Sequence, residues 1–412
     1  MSARIRDAAL WPEGLERIRF AQSFMPVTAA VADGLRASGA VAGLRIGVSD
    51  VLEPKTASVA LALQEAGAEV VVTCAGRNTD DAVAAALVHS GIPVYADSRA
   101  EAADDRENVL RLLDHRPQVI VDDGSWTIRL AHTERPDILD GLRGATEQTT
   151  SGVRPLRTMA REGALRVPVI AANDARTKSL FDNAHGTGQA VVFAILDLLG
   201  EPIAARDVVV AGFGPVGAGI ARHARALGAR VTIAEVDPVA ALQAVFAGYP
   251  VEALKDAAAH ADLLISATGV ARTVDVEHLL ALPDGAAVAV GGGVRQEIAL
   301  RAAAEAGAVE VARAGAVAGL RLPNGRVVRV LDDGNCINVS AAEGNPIQIM
   351  DLSFGVQLAA VGHLLGSDLS PGVHALPRAV DDAVAAHALR AFGGVLDERS
   401  PHQLRFLDSW TP

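Results

Sequence analysis

The sequence predicts an α/β protein with two doubly wound, parallel-sheet domains of the Rossmann-like type. Short runs rich in β-branched residues alternate with stretches of helical periodicity, and parallel strands require such helical crossovers. A length of 412 residues is sufficient for two domains. Half of the residues are hydrophobic but only 3% are aromatic, so small aliphatic side chains must fill the core between helices and sheets.

The first predicted unit contains four strands and two helices. Its strands are expected at residues 44–48, 69–74, 93–96 and 118–122, and its helices at residues 56–66 and 80–90. Ligands of such sheets bind beyond the carboxyl ends of the strands. The sequence therefore places residues 49–55 and Asp123 beside a ligand crevice.

The second unit repeats this pattern after a helix that starts near Gly188. Its strands are expected at residues 208–211, 230–234, 263–266 and 287–290. The chain is expected to return to the first unit near Asn345. Residues 1–183 and 346–412 would then form one discontinuous, substrate-binding domain, and residues 188–344 would be inserted in it.

Charge and cysteine content argue against several classes of protein. Lys and Arg number 37 against 49 Asp and Glu, a net charge of −12 that opposes binding to nucleic acid. Two cysteines without paired ligand spacing predict neither a disulfide framework nor a metal site. No signal-peptide pattern and no run of 18 apolar residues occurs, so we expect a cytoplasmic protein without a membrane partner.

A glycine-rich turn follows the predicted strand at residues 208–211. Gly212 permits a tight turn, Gly214 lets the backbone approach a pyrophosphate, and Gly217 packs the following helix against the strand. Glu235 ends the next strand, where a carboxylate can accept hydrogen bonds from ribose hydroxyls. No arginine follows it, which predicts NAD rather than NADP. A packing turn without a cofactor is the alternative.

Two segments carry a family resemblance. Residues 173–183 read Asn-Asp-Ala-Arg-Thr-Lys-Ser-Leu-Phe-Asp-Asn, and residues 209–217 read Val-Val-Ala-Gly-Phe-Gly-Pro-Val-Gly. They resemble the substrate signature and the NAD loop of the S-adenosyl-L-homocysteine hydrolase (adenosylhomocysteinase) family. Shorter matches follow the same order along nearly the whole chain, at residues 91–95, 122–124, 147–150 and 371–374. The chain is similar to a divergent member of that family.

The resemblance implies a redox-neutral reaction in which NAD oxidises the ribose 3′-hydroxyl, a base removes the C4′ proton and the 5′ substituent leaves. It implies catalytic roles for Lys178, Asp182, Asp123 and Asn183. Lys178 would handle the 3′-hydroxyl proton with Asp182 beside it; a structural ion pair is the alternative. The implied cofactor-binding residues come from both units: Gly212, Gly214, Pro215, Val216, Gly217, Glu235, Thr149, Thr150, Ser151, Asn183, Thr268, Gly269 and Asn338.

The sequence departs from the family around the 5′ position of the substrate. Two family histidines fall on Val51 and Gly293, neither of which can transfer a proton, and a family aspartate falls on Arg295. Lys55 stands where the family has a glutamate at the adenine amino edge. The substrate-binding residues are predicted among such replacements and their polar neighbours: Glu53, Lys55, Gln148, His185, Glu343 and Asn345.

Three functions are compatible with these departures. We favour a nucleoside 4′,5′-dehydratase, a lyase of specialised purine-nucleoside metabolism that eliminates the 5′ substituent and then reduces the ketone again. The first alternative is an adenosylhomocysteinase in which Glu53, His185 or Glu343 replaces the lost histidines. The second is a silent NAD-binding regulatory protein. The family's C-terminal tail has no counterpart, and a homo-oligomer, dimer or tetramer, is expected.

Overall fold

In the computed structural model, which describes residues 3–294 and 296–410, the chain forms two seven-stranded sheets with helices packed against them. The strands of the described residues are β1 (Arg45–Ser49), β2 (Glu69–Thr73), β3 (Val94–Tyr95), β4 (Val119–Asp122), β5 (Gly144–Glu147), β6 (Pro168–Ala171), β7 (Asp207–Ala211), β8 (Arg230–Ala234), β9 (Leu263–Ser266), β10 (Ala287–Val290), β11 (Val309–Ala314), β12 (Val317–Arg321), β13 (Val327–Leu331) and β14 (Gly372–Ala375).

The helices vary from a single turn to 19 residues. They are α1 (Trp11–Gln22), α2 (Pro26–Ser38), α3 (Pro54–Glu65), α4 (Asp81–His89), α5 (Ala102–Asp114), α6 (Trp126–Thr133), α7 (Thr150–Arg161), α8 (Arg176–Lys178), α9 (Gly188–Leu199), α10 (Pro215–Ala226), α11 (Pro238–Phe246), α12 (Leu254–Ala258), α13 (Val276–Ala281), α14 (Leu300–Glu305), α15 (Ile337–Ser340), α16 (Ile347–Leu365), α17 (Arg378–Ala391) and α18 (Pro401–Leu407). A π-helix, Ser179–Thr187, directly follows α8.

The first sheet has the strand order β3-β2-β1-β4-β5-β6-β14, and all of its pairs are parallel. Its strands are buried on both faces because helices cover both sides, as parallel sheets require. Helix α5 approaches β1 so closely that a Cβ built at Gly47 would lie 2.7 Å from a Leu112 methyl group. The strand order reverses between β1 and β4, which creates a ligand crevice at their carboxyl ends.

The second sheet has the order β8-β7-β9-β10-β13-β12-β11. Strands β7 to β10 and β13 are parallel, which confirms the predicted fold class, whereas β11 and β12 extend the sheet as antiparallel strands. The order reverses between β7 and β9. A second crevice therefore lies beside the glycine-rich turn that follows β7.

Helix α16 lies in the interior beside the first sheet. It is the one described helix that is long and apolar enough to cross a membrane, yet 67% of its apolar window is buried within the protein, as in the core helix of a folded domain. Its buried Asp351 caps α2 by accepting the Val27 and Thr28 N–H groups over 2.9 and 2.7 Å. The helix thus joins distant parts of the chain into one core.

The chain passes between the two sheets in two places. The π-helix and α9 lead from the first sheet to the second, and α15 leads back to α16. Helices α9 and α10 cross at two glycines, since a Cβ on Gly188 would lie 2.5 Å from the Gly219 backbone. The domain boundaries at residues 183, 188, 344 and 346 stay a prediction, as does the homo-oligomer.

Candidate active site

A buried lysine lies at the centre of the candidate site. The Nζ atom of Lys178, at the end of α8, lies 2.7 Å from Asn183 Oδ1 and 3.3 Å from Asp182 Oδ2. All three residues are buried. The π-helix has wider turns than an α-helix, so the residues four and five positions after Lys178 lie on the same side as its ammonium. The structure therefore brings three of the four predicted catalytic residues together.

Neighbouring side chains hold this cluster in place. Ser353 Oγ, on α16, donates to Asp182 Oδ2 over 2.7 Å, and Asn345 Nδ2 donates to Asp182 Oδ1. Asn183 Nδ2 donates to Asn173 Oδ1 at 3.3 Å. These contacts occupy both oxygens of Asp182, while the Lys178 ammonium, which has three N–H groups, keeps one for a further acceptor such as a substrate hydroxyl.

Asp381, on α17, positions the lysine from a distance in the chain. Its carboxylate accepts the Arg176 N–H over 2.8 Å and the Thr177 N–H over 3.1 Å, which caps the turn that carries Lys178. Arg176 and Asp381 are 205 residues apart, so no local sequence pattern identifies the contact.

Four carboxyl groups meet where β1, β4 and β5 end: Asp50, Asp122, Asp123 and Glu147. Burial raises the pKa of all four, in the case of Asp122 to about 7, and repulsion within the group adds to the shift. Of the four, only Asp123 is predicted from the sequence to have a catalytic role. The opposite charge of Lys178 favours the ionised form of Asp123. Proton-holding groups therefore lie next to the lysine cluster.

Replacing Asp122 by asparagine should make stability less dependent on pH. Because its pKa is raised to about 7, folded Asp122 keeps a proton that the unfolded carboxyl releases near pH 4. The contribution of Asp122 to the free energy of unfolding is therefore fully present below about pH 4. It falls by up to about 4 kcal/mol as the pH rises towards 7. Asparagine can still accept the Ile128 N–H that Asp122 Oδ2 accepts over 2.9 Å.

Urea unfolding at pH 5 and pH 8 tests this expectation. The midpoint of Asp122→Asn should fall less between the two pH values than that of the unchanged protein. Asp140→Asn is the control, because that side chain is 91% exposed. An Asp122→Asn midpoint that falls as much as that of the control would contradict the assigned pKa.

The glycine-rich turn after β7 has the shape that a dinucleotide requires. Gly212 adopts φ of +100°, a left-handed conformation that favours glycine, and a Cβ built at Gly217 would lie 2.0 Å from the Gly212 carbonyl oxygen. At Gly214 nothing lies within 4 Å of such a Cβ. Gly214 directly precedes α10, which starts with Pro215 and Val216. Open space at a helix N-terminus suits a pyrophosphate, so the turn fits NAD.

Glu235 lies at the end of β8 and faces this turn. Its Oε2 accepts the Phe213 N–H over 2.6 Å, and its Oε1 accepts the Val236 and Asp237 N–H groups over 2.7 and 2.9 Å. The carboxylate is therefore fixed beside the glycine-rich turn, where the predicted hydrogen bonds to a ribose would form.

Other predicted cofactor residues lie on loops of both sheets. Thr149 caps α7, and Thr150 Oγ1 donates to Asn173 Oδ1. Ser151 faces the second sheet, because a Cβ built at Gly293 would lie 2.9 Å from Ser151 Oγ. The loops thus meet where a nicotinamide ring is expected to lie.

Glu297 is a structural residue of this region that sequence patterns missed. It is fully buried and accepts the Thr268 and Gly269 N–H groups, each over 3.0 Å, together with the Ser266 hydroxyl. It therefore holds the loop after β9, which contains two predicted cofactor residues. The last of the predicted set, Asn338, donates to Asn345 Oδ1 over 3.2 Å.

A cavity of about 1080 Å³ contains four predicted substrate residues: Glu53, Lys55, Glu343 and Asn345. Phe20 of α1 and Phe193 of α9 contribute apolar surface. The Lys55 ammonium is buried and lies 2.8 Å from both Glu53 Oε2 and the Glu343 carbonyl oxygen. Burial raises the pKa of Glu53, while Lys55 opposes the shift. The cavity thus combines apolar surface with charged and polar groups that can orient a small molecule.

The remaining two substrate predictions differ in position. Gln148, after β5, is buried, and its Oε1 has no hydrogen-bond partner among the described residues. His185 is exposed, stacks beside Phe181 and contacts Arg222 at 3.2 Å, outside both the cavity and the lysine cluster. The geometry does not support His185 as a replacement acid–base group. Arg295 lies outside the described residues.

Known protein families match two long segments of the chain. Family models match residues 2–137, described as S-adenosyl-L-homocysteine hydrolase, and residues 183–344, described as its NAD binding domain. The chain is 40% identical to an S-inosyl-L-homocysteine hydrolase from Methanopyrus kandleri over 98% of this chain and 97% of the relative. It is 41% identical to an adenosylhomocysteinase from Thermotoga maritima over 96% and 99%.

A third relative, from Methanothermobacter thermautotrophicus, is named S-inosyl-L-homocysteine hydrolase and is 38% identical over 100% of this chain and 99% of the relative. Among solved structures, an NAD-bound 3-phosphoglycerate dehydrogenase from Entamoeba histolytica is 12% identical, with a TM-score of 0.42 over 79% of this chain and 95% of that chain. The relatives match nearly the whole chain, and the turn after β7 fits NAD. The chain therefore belongs to the S-adenosyl-L-homocysteine hydrolase family and is an NAD-dependent enzyme of the adenosylhomocysteinase type.

Proposed function

We propose that the protein hydrolyses the thioether bond between homocysteine and C5′ of a purine nucleoside. This hydrolase is the first alternative from the sequence, and the comparisons support it better than the dehydratase favoured there. The observation that carries the proposal is the buried cluster of Lys178, Asp182 and Asn183 beside the dinucleotide turn. NAD, when bound, supplies a reversible oxidation of the ribose 3′ carbon, so that no net redox change occurs.

The residues of this chain bind the ribose and move its protons. Lys178 is positioned to exchange a proton with the 3′-oxygen, because Asn183 and Asp182 orient its ammonium and burial excludes water. Asp123, which follows β4, lies within the electrostatic influence of Lys178, and Asp50 follows the neighbouring strand β1. We place C4′ and C5′ of the same ribose beside them. The dehydratase would use the same groups.

The position of Lys55 in the cavity favours a purine base that carries an oxygen at C6. A lysine ammonium only donates hydrogen bonds, and contacts with Glu53 and Glu343 occupy two of its three N–H groups. The third can donate to the 6-oxygen of hypoxanthine but faces a donor in the 6-amino group of adenine. Two of the relatives carry inosyl substrates in their names. We therefore propose S-inosyl-L-homocysteine as the preferred substrate.

Substrate assays by mass spectrometry test the proposal. NAD-loaded protein should release homocysteine from S-inosyl-L-homocysteine faster than from S-adenosyl-L-homocysteine, and Lys55→Glu should shift this ratio by about 10–100-fold towards adenosyl. Lys255→Glu is the control, because it makes the same change of charge at an exposed lysine that does not line the cavity. An unshifted ratio in Lys55→Glu would contradict the assignment of the base.

A specific observation keeps the 4′,5′-dehydratase as a second candidate. The chain has 11 histidines, all in the described part, and none lines the cavity or hydrogen-bonds to Lys178, Asp182 or the four carboxyl groups. Water addition at C5′ thus lacks an imidazole. If 5′-hydroxy purine nucleosides lose one water in the same assay while neither thioether releases homocysteine, the hydrolase is wrong and the dehydratase is right.

A further inference from the structure

Asp50, which no resemblance assigned, lies at the reversal point of the first sheet. It directly follows β1, and Asp123 directly follows β4, the neighbouring strand. The Asp123 N–H donates to the Ser49 carbonyl oxygen over 2.8 Å, which draws the two loops together. The Asp50 and Asp123 carboxyl groups are close enough for each to shift the pKa of the other. This is the crevice in which doubly wound sheets bind their ligands.

The surroundings decide which carboxyl group carries the proton. Two buried carboxyl groups at neighbouring strand ends repel each other when both are ionised, so ionisation of one favours the protonated form of the other. Lys178 and the Thr149 hydroxyl favour the ionised form of Asp123. Burial and the Asp123 charge raise the pKa of Asp50 well above its usual range. The Val51 N–H donates to Asp50 Oδ1 over 2.7 Å, which leaves Oδ2 to hold the proton.

A second, independent observation indicates a ligand at this place. Gln148 directly follows β5, and its N–H donates to the Asp122 carbonyl oxygen over 3.1 Å. Its side chain is only 5% exposed, yet its Oε1 has no hydrogen-bond partner among the described residues. At the carboxyl ends of the strands, this oxygen is free to accept a hydrogen bond from a ligand hydroxyl.

We infer that Asp50 is the general acid that protonates the atom leaving C5′, and the general base for the water that replaces it. This inference rests on the proposed function, because it needs the acidified C4′–H of the family reaction. The C4′–H electron pair forms the C4′=C5′ bond, and its proton goes to Asp123. The electron pair of the broken C5′–S bond stays on sulfur, which takes the proton of Asp50.

After this step Asp123 is protonated and Asp50 is ionised. The Asp50 carboxylate can then remove a proton from water as the water oxygen bonds to C5′, and Asp123 returns its proton to C4′. The pair thus ends in the state in which it started. Val51 cannot take part except through its backbone N–H, which orients Asp50. A carboxyl pair replaces the imidazole in this scheme.

Asp50→Asn separates the steps. Asparagine still accepts the Val51 N–H and donates to Asp123, so the fold is retained. The variant should keep transient NADH absorbance and exchange of C4′–H with deuterated solvent, while homocysteine release falls by about 10²–10⁴-fold. A 5′-chloro-5′-deoxynucleoside should still eliminate chloride at the unchanged rate, because chloride leaves without a proton.

Asp105→Asn is the matched control, since Asp105 is also buried with a pKa raised by burial but lies on α5 and accepts the Gly76 N–H. It should leave homocysteine release unchanged. Isotope-edited infrared spectra of the protein without ligands should show one protonated carboxyl group fewer in Asp50→Asn than in the unchanged protein. If Asp50→Asn releases homocysteine at the unchanged rate, the inference is overturned. If the unchanged protein shows neither NADH nor C4′ exchange, the proposed function itself fails.

Discussion

Replacing Lys178 by alanine should abolish turnover while the protein folds and binds NAD normally. The Lys178 Nζ atom lies 2.7 Å from Asn183 Oδ1 and 3.3 Å from Asp182 Oδ2. Without it no ammonium orients the 3′-oxygen and no neutral amine accepts the proton of the 3′-hydroxyl. Loss of one positioned acid–base group typically costs about 10²–10⁴ in rate. Asp182 keeps its hydrogen bonds from Ser353 and Asn345, so the fold is retained.

The measurement is the transient NADH absorbance after substrate is added to NAD-loaded protein. The unchanged protein should show it, and Lys178→Ala should not. Lys255→Ala is the matched control, because Lys255 is exposed and pairs only with Glu277 at the surface. A normal transient in Lys178→Ala would mean that the lysine is a structural ion pair, the alternative considered from the sequence.

Gly217→Ala should weaken NAD binding by about 10–100-fold, the second large effect expected. A Cβ at this position would lie 2.0 Å from the Gly212 carbonyl oxygen, and backbone atoms cannot give way as a flexible side chain can. The turn that receives the pyrophosphate would have to move away from α10. Because every turnover needs NAD, activity at limiting NAD should fall in proportion.

Calorimetric titration with NAD measures this loss directly. Gly34→Ala is the control, since Gly34 lies in α2 and nothing lies within 4 Å of a Cβ built there. It should bind NAD as the unchanged protein does. If Gly217→Ala does so too, the close packing at Gly212 is unimportant for the cofactor site.

Local patterns in the sequence were sufficient for the fold class and for much of the cofactor site. The predicted strands at residues 230–234, 263–266 and 287–290 agree residue for residue with β8, β9 and β10, because each is a short buried run between helices. The dinucleotide turn was equally predictable, since its glycines, its strand and its helix are neighbours in the chain. The predictions missed β5, β6 and β14, which are four residues each and contain glycine or proline. They also missed β11, β12 and β13, which extend the second sheet.

The tertiary structure alone decided which distant side chains come together at the candidate site. Asp50 meets Asp123 because β1 pairs with β4, Asp381 caps the turn of Lys178 from the other end of the chain, and Asn345 reaches Asp182 across 163 residues. Periodicity and motif spacing describe neighbours within one element. Contacts between the ends of non-consecutive strands depend on strand order, which is set by the packing of the whole domain. For that physical reason the sequence determined the NAD-dependent family of this protein and the crevice beside residues 49–55, and only the folded chain brought Asp50 next to Asp123.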